Sequence, residues 1–253
     1  MIVHNAARLA GWLALATLAM LAGPVLTLAV GNVSMRGDWS RATHRATGLA
    51  PDPAMHPEAV VQAYASRTFG WRGAFAVHTW IAAKPAHADR YTRYEVIGWR
   101  AGAGSGLSVS DTHSPDAEWY GAAPRLIDDL RGADAEAVIA KLSKAVANYP
   151  HVRYSAWPGP NSNTFVAYLG RAIPELRLTL PSLAIGKDYL PAGEWLAPAP
   201  SGTGYQFSAG GLFGVTAAYD EGLEINLFGL VTGIDFRHPG VKIPGIGTMP
   251  GHG

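Results

Sequence analysis

The 253-residue chain contains no cysteine, which excludes disulfides, thiolate metal sites and a cysteine nucleophile. It has no excess of charge of one sign, with 20 lysines and arginines against 19 aspartates and glutamates. The basic residues are scattered, so no field is built for a phosphate backbone and nucleic acid is not an expected partner. His56, His87, His113 and His151 share no metal-ligand spacing, and neither a metal nor another cofactor is expected. Lysine is scarce beside arginine, while alanine, glycine and proline abound, a composition typical of GC-rich bacterial genomes.

From Leu9 to Val30 charge is missing altogether. At 1.5 Å per residue such a run crosses the ~30 Å hydrocarbon core of a bilayer. Signal-peptide apolar regions are shorter, about 7–15 residues. Residues 9–30 are therefore expected to engage the lipid bilayer as an uncleaved anchor, the alternative being a long signal peptide cut near Ala29-Val30-Gly31. Arg8 lies on one side, and Arg36, Arg41 and Arg45 on the other; these argue for opposite orientations. The expected location is the bacterial inner membrane, with the globular part periplasmic. The expected division is an anchor or signal over 1–31, a polar linker with a short helix over 32–57, and one globular domain over 58–253.

Ala59–Ala65 reads as an apolar strand, and Phe75–Ile81 as a β-branched and aromatic one. Lys84–Asp89 breaks the second, and Tyr91–Trp99 resumes it as the other arm of a hairpin. A turn centred between Ala86 and His87 puts His78 directly opposite Glu95, on the same face. A carboxylate there would orient the imidazole and raise its pKa, as an orienting acid does in a triad. Ala101–Gly106 lacks the Lys-Ser/Thr ending of a phosphate loop and reads as a flexible turn. Pro124–Leu130 suggests a short helix. After Asp134, Ala135, Val138, Ile139, Leu142, Val146 and Tyr149 recur at helical spacing, marking a core-facing helix.

The central stretch, Tyr149–Leu169, reads as strand, stiff loop and helix start. Pro158 and Pro160 restrict the loop, so the helix can begin only after them. Asn161, Ser162 and Asn163 are all good caps, and Phe165, Val166 and Leu169 supply the apolar face. Free N–H groups there can stabilise an oxyanion. Ser162 as nucleophile, His78 as base and Glu95 as orienter form one candidate site, with Asn161, Asn163, Trp80 and Trp157 as substrate contacts. Trp80, Trp99 and Trp157 would line a sugar or acyl groove. On the plainer reading Ser162 caps a helix, His78 is a buried strand histidine and Glu95 an exposed strand acid. Farther on, Leu212–Asp220 is echoed by Leu227–Asp235 across the turn signal Asp220-Glu221-Gly222. This predicts a C-terminal antiparallel hairpin, about 210–236, joined to the main sheet, and an extended tail from Pro239. Asp220, Glu221 and Glu224 exclude a second membrane span, since each costs about 2.5–3.5 kcal/mol near a bilayer centre. The expected fold is α+β, a mostly antiparallel sheet with two principal helices packed on it.

Val77-His78-Thr79-Trp80, Trp157–Phe165, Pro174-Glu175-Leu176, Gly186-Lys187-Asp188 and Glu221–Asn226 together resemble an uncharacterised bacterial family, domain of unknown function 3750. A fainter likeness is to circularly permuted papain-like proteins, of the lecithin-retinol acyltransferase and NlpC types. There a strand histidine precedes an Asn-Cys-x-x-Phe helix start, which His78 and Asn161–Phe165 would match, with Ser162 in place of the cysteine. That likeness implies a membrane-anchored hydrolase or acyltransferase acting on an amide or ester of the envelope. The alternative is an inactive scaffold binding an envelope small molecule or polymer.

Overall fold

The structure is a computed structural model that describes residues 2–30, 33, 39–103 and 106–250. The fold is α+β, with three α-helices and two antiparallel sheets among the described residues. Helix α1 (Ile2–Ala29) holds a segment, Gly11–Ala29, long and apolar enough to cross a membrane. The first sheet has the order β4 (Leu107–Ser110), β3 (Thr92–Val96), β2 (Val77–Lys84), β1 (Val60–Arg67), β5 (Arg125–Arg131). Helices α2 (Gly132–Ala147) and α3 (Ser162–Ala172) cover one face. The main core lies between them: Ile81 and Ala83 of β2 meet Val138 and Leu142 of α2, and Phe165, Val166 and Leu169 of α3. Tyr64, Trp80 and Trp119 form a smaller cluster on the other face.

Residues 125–131 form a strand, not the expected helix. Leu126, Ile127 and Leu130 fit helical spacing locally, but antiparallel pairing with β1 decides the outcome. Tyr149–Tyr154 is irregular rather than a strand. The expected linker is in part stitched to the domain: Thr47 Oγ1 donates to the Asp116 carbonyl (2.8 Å), and the Leu49 amide to Asp116 Oδ2 (2.7 Å). Most of 31–38, including Arg36, lies outside the described residues, as do Gly104 and Ser105 of the expected flexible turn; Gly98–Ala103 before them is a 3-10 turn.

The C-terminal part departs further from expectation. Instead of one hairpin on the main sheet, β6 (Leu196–Pro198), β7 (Gly204–Ala209), β8 (Phe213–Ala218), β9 (Gly222–Leu227), β10 (Leu230–Asp235), β11 (Gly240–Ile243) and β12 (Gly247–Met249) form a separate meander. The two repeat copies contribute β8 and β10, which flank β9 rather than pair with each other. The tail is the β11–β12 hairpin, not an extended segment.

Residues 178–191 lie between core and meander. Leu178, Leu180 and Leu183 enter the core, while Lys187 and Asp188 face the second sheet. Lys187 Nζ donates to Glu224 Oε2, and Lys242 Nζ to Glu224 Oε1 at 2.7 Å. Asp188 accepts from Gln206 Nε2 (3.0 Å) and Asn226 Nδ2 (2.8 Å). Burial pushes the Glu224 carboxyl up, but Lys187 and Lys242 outweigh it and hold it below the usual range. Substituting Glu224→Gln leaves two buried ammonium groups facing a neutral amide. Breaking such a pair costs about 3–5 kcal/mol, and chemical denaturation should show a loss of that size.

Candidate functional site

Successive β-strand residues point to opposite faces. In β2, Val77, Thr79, Ile81 and Ala83 face α2 and α3, whereas His78, Trp80 and Ala82 face the other side. Thr79 Oγ1 donates to Asn163 Oδ1 at 2.9 Å, and Asn163 Nδ2 to the carbonyls of Val77 (2.9 Å) and Ile185 (2.7 Å). The start of α3 is thereby fastened to the side of β2 that His78 does not occupy. Ser162 and His78 are separated by the sheet and form no dyad.

The cap of α3 is Asn161, not Ser162. Asn161 Oδ1 accepts from the Asn163 and Thr164 amides (2.9 and 3.2 Å), and its amide donates back to Thr164 Oγ1 (3.1 Å), a reciprocal capping box. Its Nδ2 donates to the carbonyls of Ala156 (3.1 Å) and Ile185 (3.0 Å). A side chain on Gly186, at φ +99°, would overlap the Asn161 amide. Both asparagines are thus consumed in fastening the helix rather than offered to a ligand. The Ser162 hydroxyl has no hydrogen-bond partner among the described residues, and sits at the first helical position.

His78 and Glu95 are brought together. The β2–β3 register pairs Ile81 with Tyr94 and Ala82 with Arg93, so the turn lies one residue later than expected. Glu95 becomes the diagonal neighbour of His78 on the same face, within reach. His78 Nε2 donates to Glu95 Oε2 at 2.9 Å, and Arg93 Nη2 donates to the same oxygen at 2.9 Å. The imidazole lies flat on Trp119, with centroids 3.6 Å apart, and the Arg93 guanidinium sits 4.0 Å from the Trp80 ring centroid. Burial holds the His78 pKa below its ordinary value despite the Glu95 hydrogen bond, contrary to the raised pKa expected. Burial also pushes the Glu95 carboxyl up, but the His78 hydrogen bond and the Arg93 charge prevail and hold it at about 2. The pair is a neutral imidazole donating to a carboxylate, with Arg93 balancing the charge. Glu95 is buried, not an exposed strand acid.

Above this pair is a cavity of about 200 Å³ lined by His44, Arg93, Glu95, Trp99, Arg100, His113, Trp119 and Tyr120. Trp99 is 63% exposed and lies 5.8 Å from Trp119 and 5.5 Å from Tyr120 by centroid. Arg100 Nη1 donates to Ser108 Oγ at 2.7 Å. Of the expected groove tryptophans only Trp99 lines this cavity. Trp80 is fully buried, donating from Nε1 to the Pro115 carbonyl (2.7 Å). Trp157 is away at the second sheet, donating to the Phe228 carbonyl (2.8 Å). A broader depression of about 370 Å³ beside residues 46–53 and 111–116 contains neither member of the His78–Glu95 pair. Among the described residues no cluster of three or more His, Asp or Glu could hold a metal ion.

A family described as Protein of unknown function (DUF3750) matches residues 58–189, more than half of the chain. The chain belongs to this family. The DUF3750 match includes His78, Arg93, Glu95, Arg100 and Trp119 and ends at Tyr189, before the second sheet. Comparison with curated proteins and with solved structures gave no match. None of these findings carries the likeness to papain-like proteins. Sequence reasoning missed Arg93, Arg100, Trp119 and Tyr120. Arg93 was within reach, since it shares the face of Glu95 two residues on; the others arrive by loops with no periodic signal.

Two measurements check this assignment. Asn161→Ala should cost about 2 kcal/mol, the upper end for a lost cap, because it also frees two carbonyls, whereas Ser162→Ala should change stability by no more than about 0.5 kcal/mol; denaturant titration distinguishes them. The second is pH dependence. Both His78 and Glu95 bind protons more tightly when unfolded, so their contributions are present at neutral pH and lost on acidification. The His78 contribution declines below its ordinary 6.5, and that of Glu95 between 4.5 and about 2. The melting temperature should fall over that range, and Glu95→Gln should flatten the limb below pH 4.5.

Proposed function

We propose that this DUF3750 protein is a membrane-anchored binding module, with α1 as an uncleaved anchor at the bacterial inner membrane and the globular part in the periplasm. Its ligand is a small anion carrying a single ring whose face can stack on an aromatic side chain, of the kind found in envelope components. The observation that supports this reading is the cavity beside His78 and Glu95. The charges of Arg93 and Glu95 offset each other across a 2.9 Å ion pair, and Arg100 adds a further cation in the lining. Trp99 and Tyr120 offer exposed and half-buried ring surface to stack on. The volume, about 200 Å³, is below the ~300–1,000 Å³ typical of drug-sized sites, so a single ring with one acidic group is the fitting size. Hydrolysis by Ser162 is not favoured, because its hydroxyl lies across the sheet from His78.

The test is thermal denaturation of the full-length detergent-solubilised protein with benzoate, glucuronate or uncharged glucose. At ten times Kd a ligand stabilises by about 1.4 kcal/mol, or roughly 3–5 °C in a domain of this size. At least one of the anions should produce such a shift and glucose should not. Arg100→Ala and Trp99→Ala should each abolish it. A shift that survives both substitutions, or equals that with glucose, rejects the reading.

A further inference from the structure

The second sheet is inside out. Within β6–β12 the only charged side chains are Glu224, Asp235 and Lys242, and all three are buried on the inner side with Gln206, Ser208 and Asn226. The outward positions, Thr232 apart, are apolar instead, and most are exposed. Phe207, Val215, Ile225, Leu223, Ile234 and Val241 are each 39–52% exposed. Cross-strand register makes them a continuous surface: Phe207 is opposite Val215, Val215 opposite Ile225, Leu223 opposite Ile234, and Ile234 opposite Val241. An antiparallel sheet facing water on one side normally turns its polar residues there. A contiguous apolar surface of this kind marks an interaction face.

The position of α1 identifies what covers it. A side chain on Gly23 would overlap the Pro244 carbonyl, one on Gly245 would overlap Pro24, and Thr27 Oγ1 donates to the Gly245 carbonyl at 3.1 Å. The turn between β11 and β12 is thus packed into the last third of the apolar helix. Gly23 lies six residues before Ala29, or about 9 Å along the axis. Interfacial elements reach about 5–10 Å into the headgroup and acyl boundary. Backbone polarity is contained at the centre of the sheet, where β8 and β9 are paired along their full length and β9 pairs β10 over five residues. Farther out, β7 and β10 pair β6 and β11 over three residues each, and the edge strands have only three residues. A shallow boundary placement leaves these unpaired lengths within reach of headgroups and water.

We propose that the outer face of the second sheet lies on the lipid bilayer, its apolar side chains in the acyl boundary, as a second membrane-contacting element beside α1. This rests on the reading of α1 as a span. The chain has no native cysteine, so single cysteines introduced as Val215→Cys, Ile225→Cys, Leu15→Cys and Met55→Cys can each carry one bimane fluorophore. Full-length protein is reconstituted into vesicles of phosphatidylethanolamine and phosphatidylglycerol, and quenched by acyl-brominated lipid or aqueous iodide. The expected result is loss of most emission to brominated lipid at positions 215 and 225, as at 15, with iodide acting only at 55. Iodide quenching at 215 and 225 while 15 stays lipid-quenched overturns the proposal and leaves the anchor intact. Protection from both quenchers at 215 and 225 means a protein partner, a second copy included, and also overturns it. If position 15 itself reports water, the span reading fails and this proposal with it. Independently of any substitution, a photoactivatable acyl-chain probe should label wild-type peptides from β7 to β9; absence of label there counts against the proposal.

Discussion

Two lysines and the glutamate between them determine which way the second sheet faces. Lys187, Lys242 and Glu224 are each almost fully buried, and desolvating any one of them alone would be prohibitive. They can be buried only together, which requires β9 and β11 to turn their charged positions toward the segment that follows α3. Alternation then sends the neighbouring leucine, isoleucine and valine residues outward with no further choice. A local electrostatic requirement thus sets the character of an entire surface.

The first sheet is organised differently, by a division of labour between its faces. One face is an ordinary apolar core under α2 and α3, sewn at one point by Asn163 to Thr79 and the Val77 carbonyl. The other carries the stack of His78 on Trp119, with Glu95 and Arg93 beside it. Because β1 and β2 are buried on both sides, the helix start is insulated from the polar pair by the thickness of the sheet. The cavity and the α3 terminus are therefore chemically independent features.

Much of this was legible in the chain. Helices α2 and α3 follow from helical spacing and capping, and strands β1–β3 from apolar, β-branched and aromatic runs between breakers. The His78–Glu95 contact survives a shift of the turn because parity is unchanged by a register difference of two. Parity is also why the Ser162–His78 idea does not hold: Thr79, its neighbour, is the residue aimed at α3. Strand β5 was misread because its apolar spacing suits either a helix or a strand, and only pairing with β1 decides. The second sheet is largely hidden because the repeat invites pairing Leu212–Asp220 with Leu227–Asp235 across Asp220-Glu221-Gly222, whereas Gly222–Leu227 is itself a strand that pairs with both copies. Arg100, Trp119 and Tyr120 reach the cavity from loops, whose course depends on tertiary contacts absent from local pattern.

The seal between α1 and the β11–β12 turn joins residues separated by 218 positions, as the Thr27–Gly245 hydrogen bond shows. Every strand of the meander, by contrast, pairs only with its neighbours in sequence, the low-contact-order arrangement that forms quickly. The Thr27–Gly245 contact closes a loop of 218 positions, so its entropic cost exceeds that of any single hairpin in the meander, and removal of β11 and β12 leaves the helix without its seat.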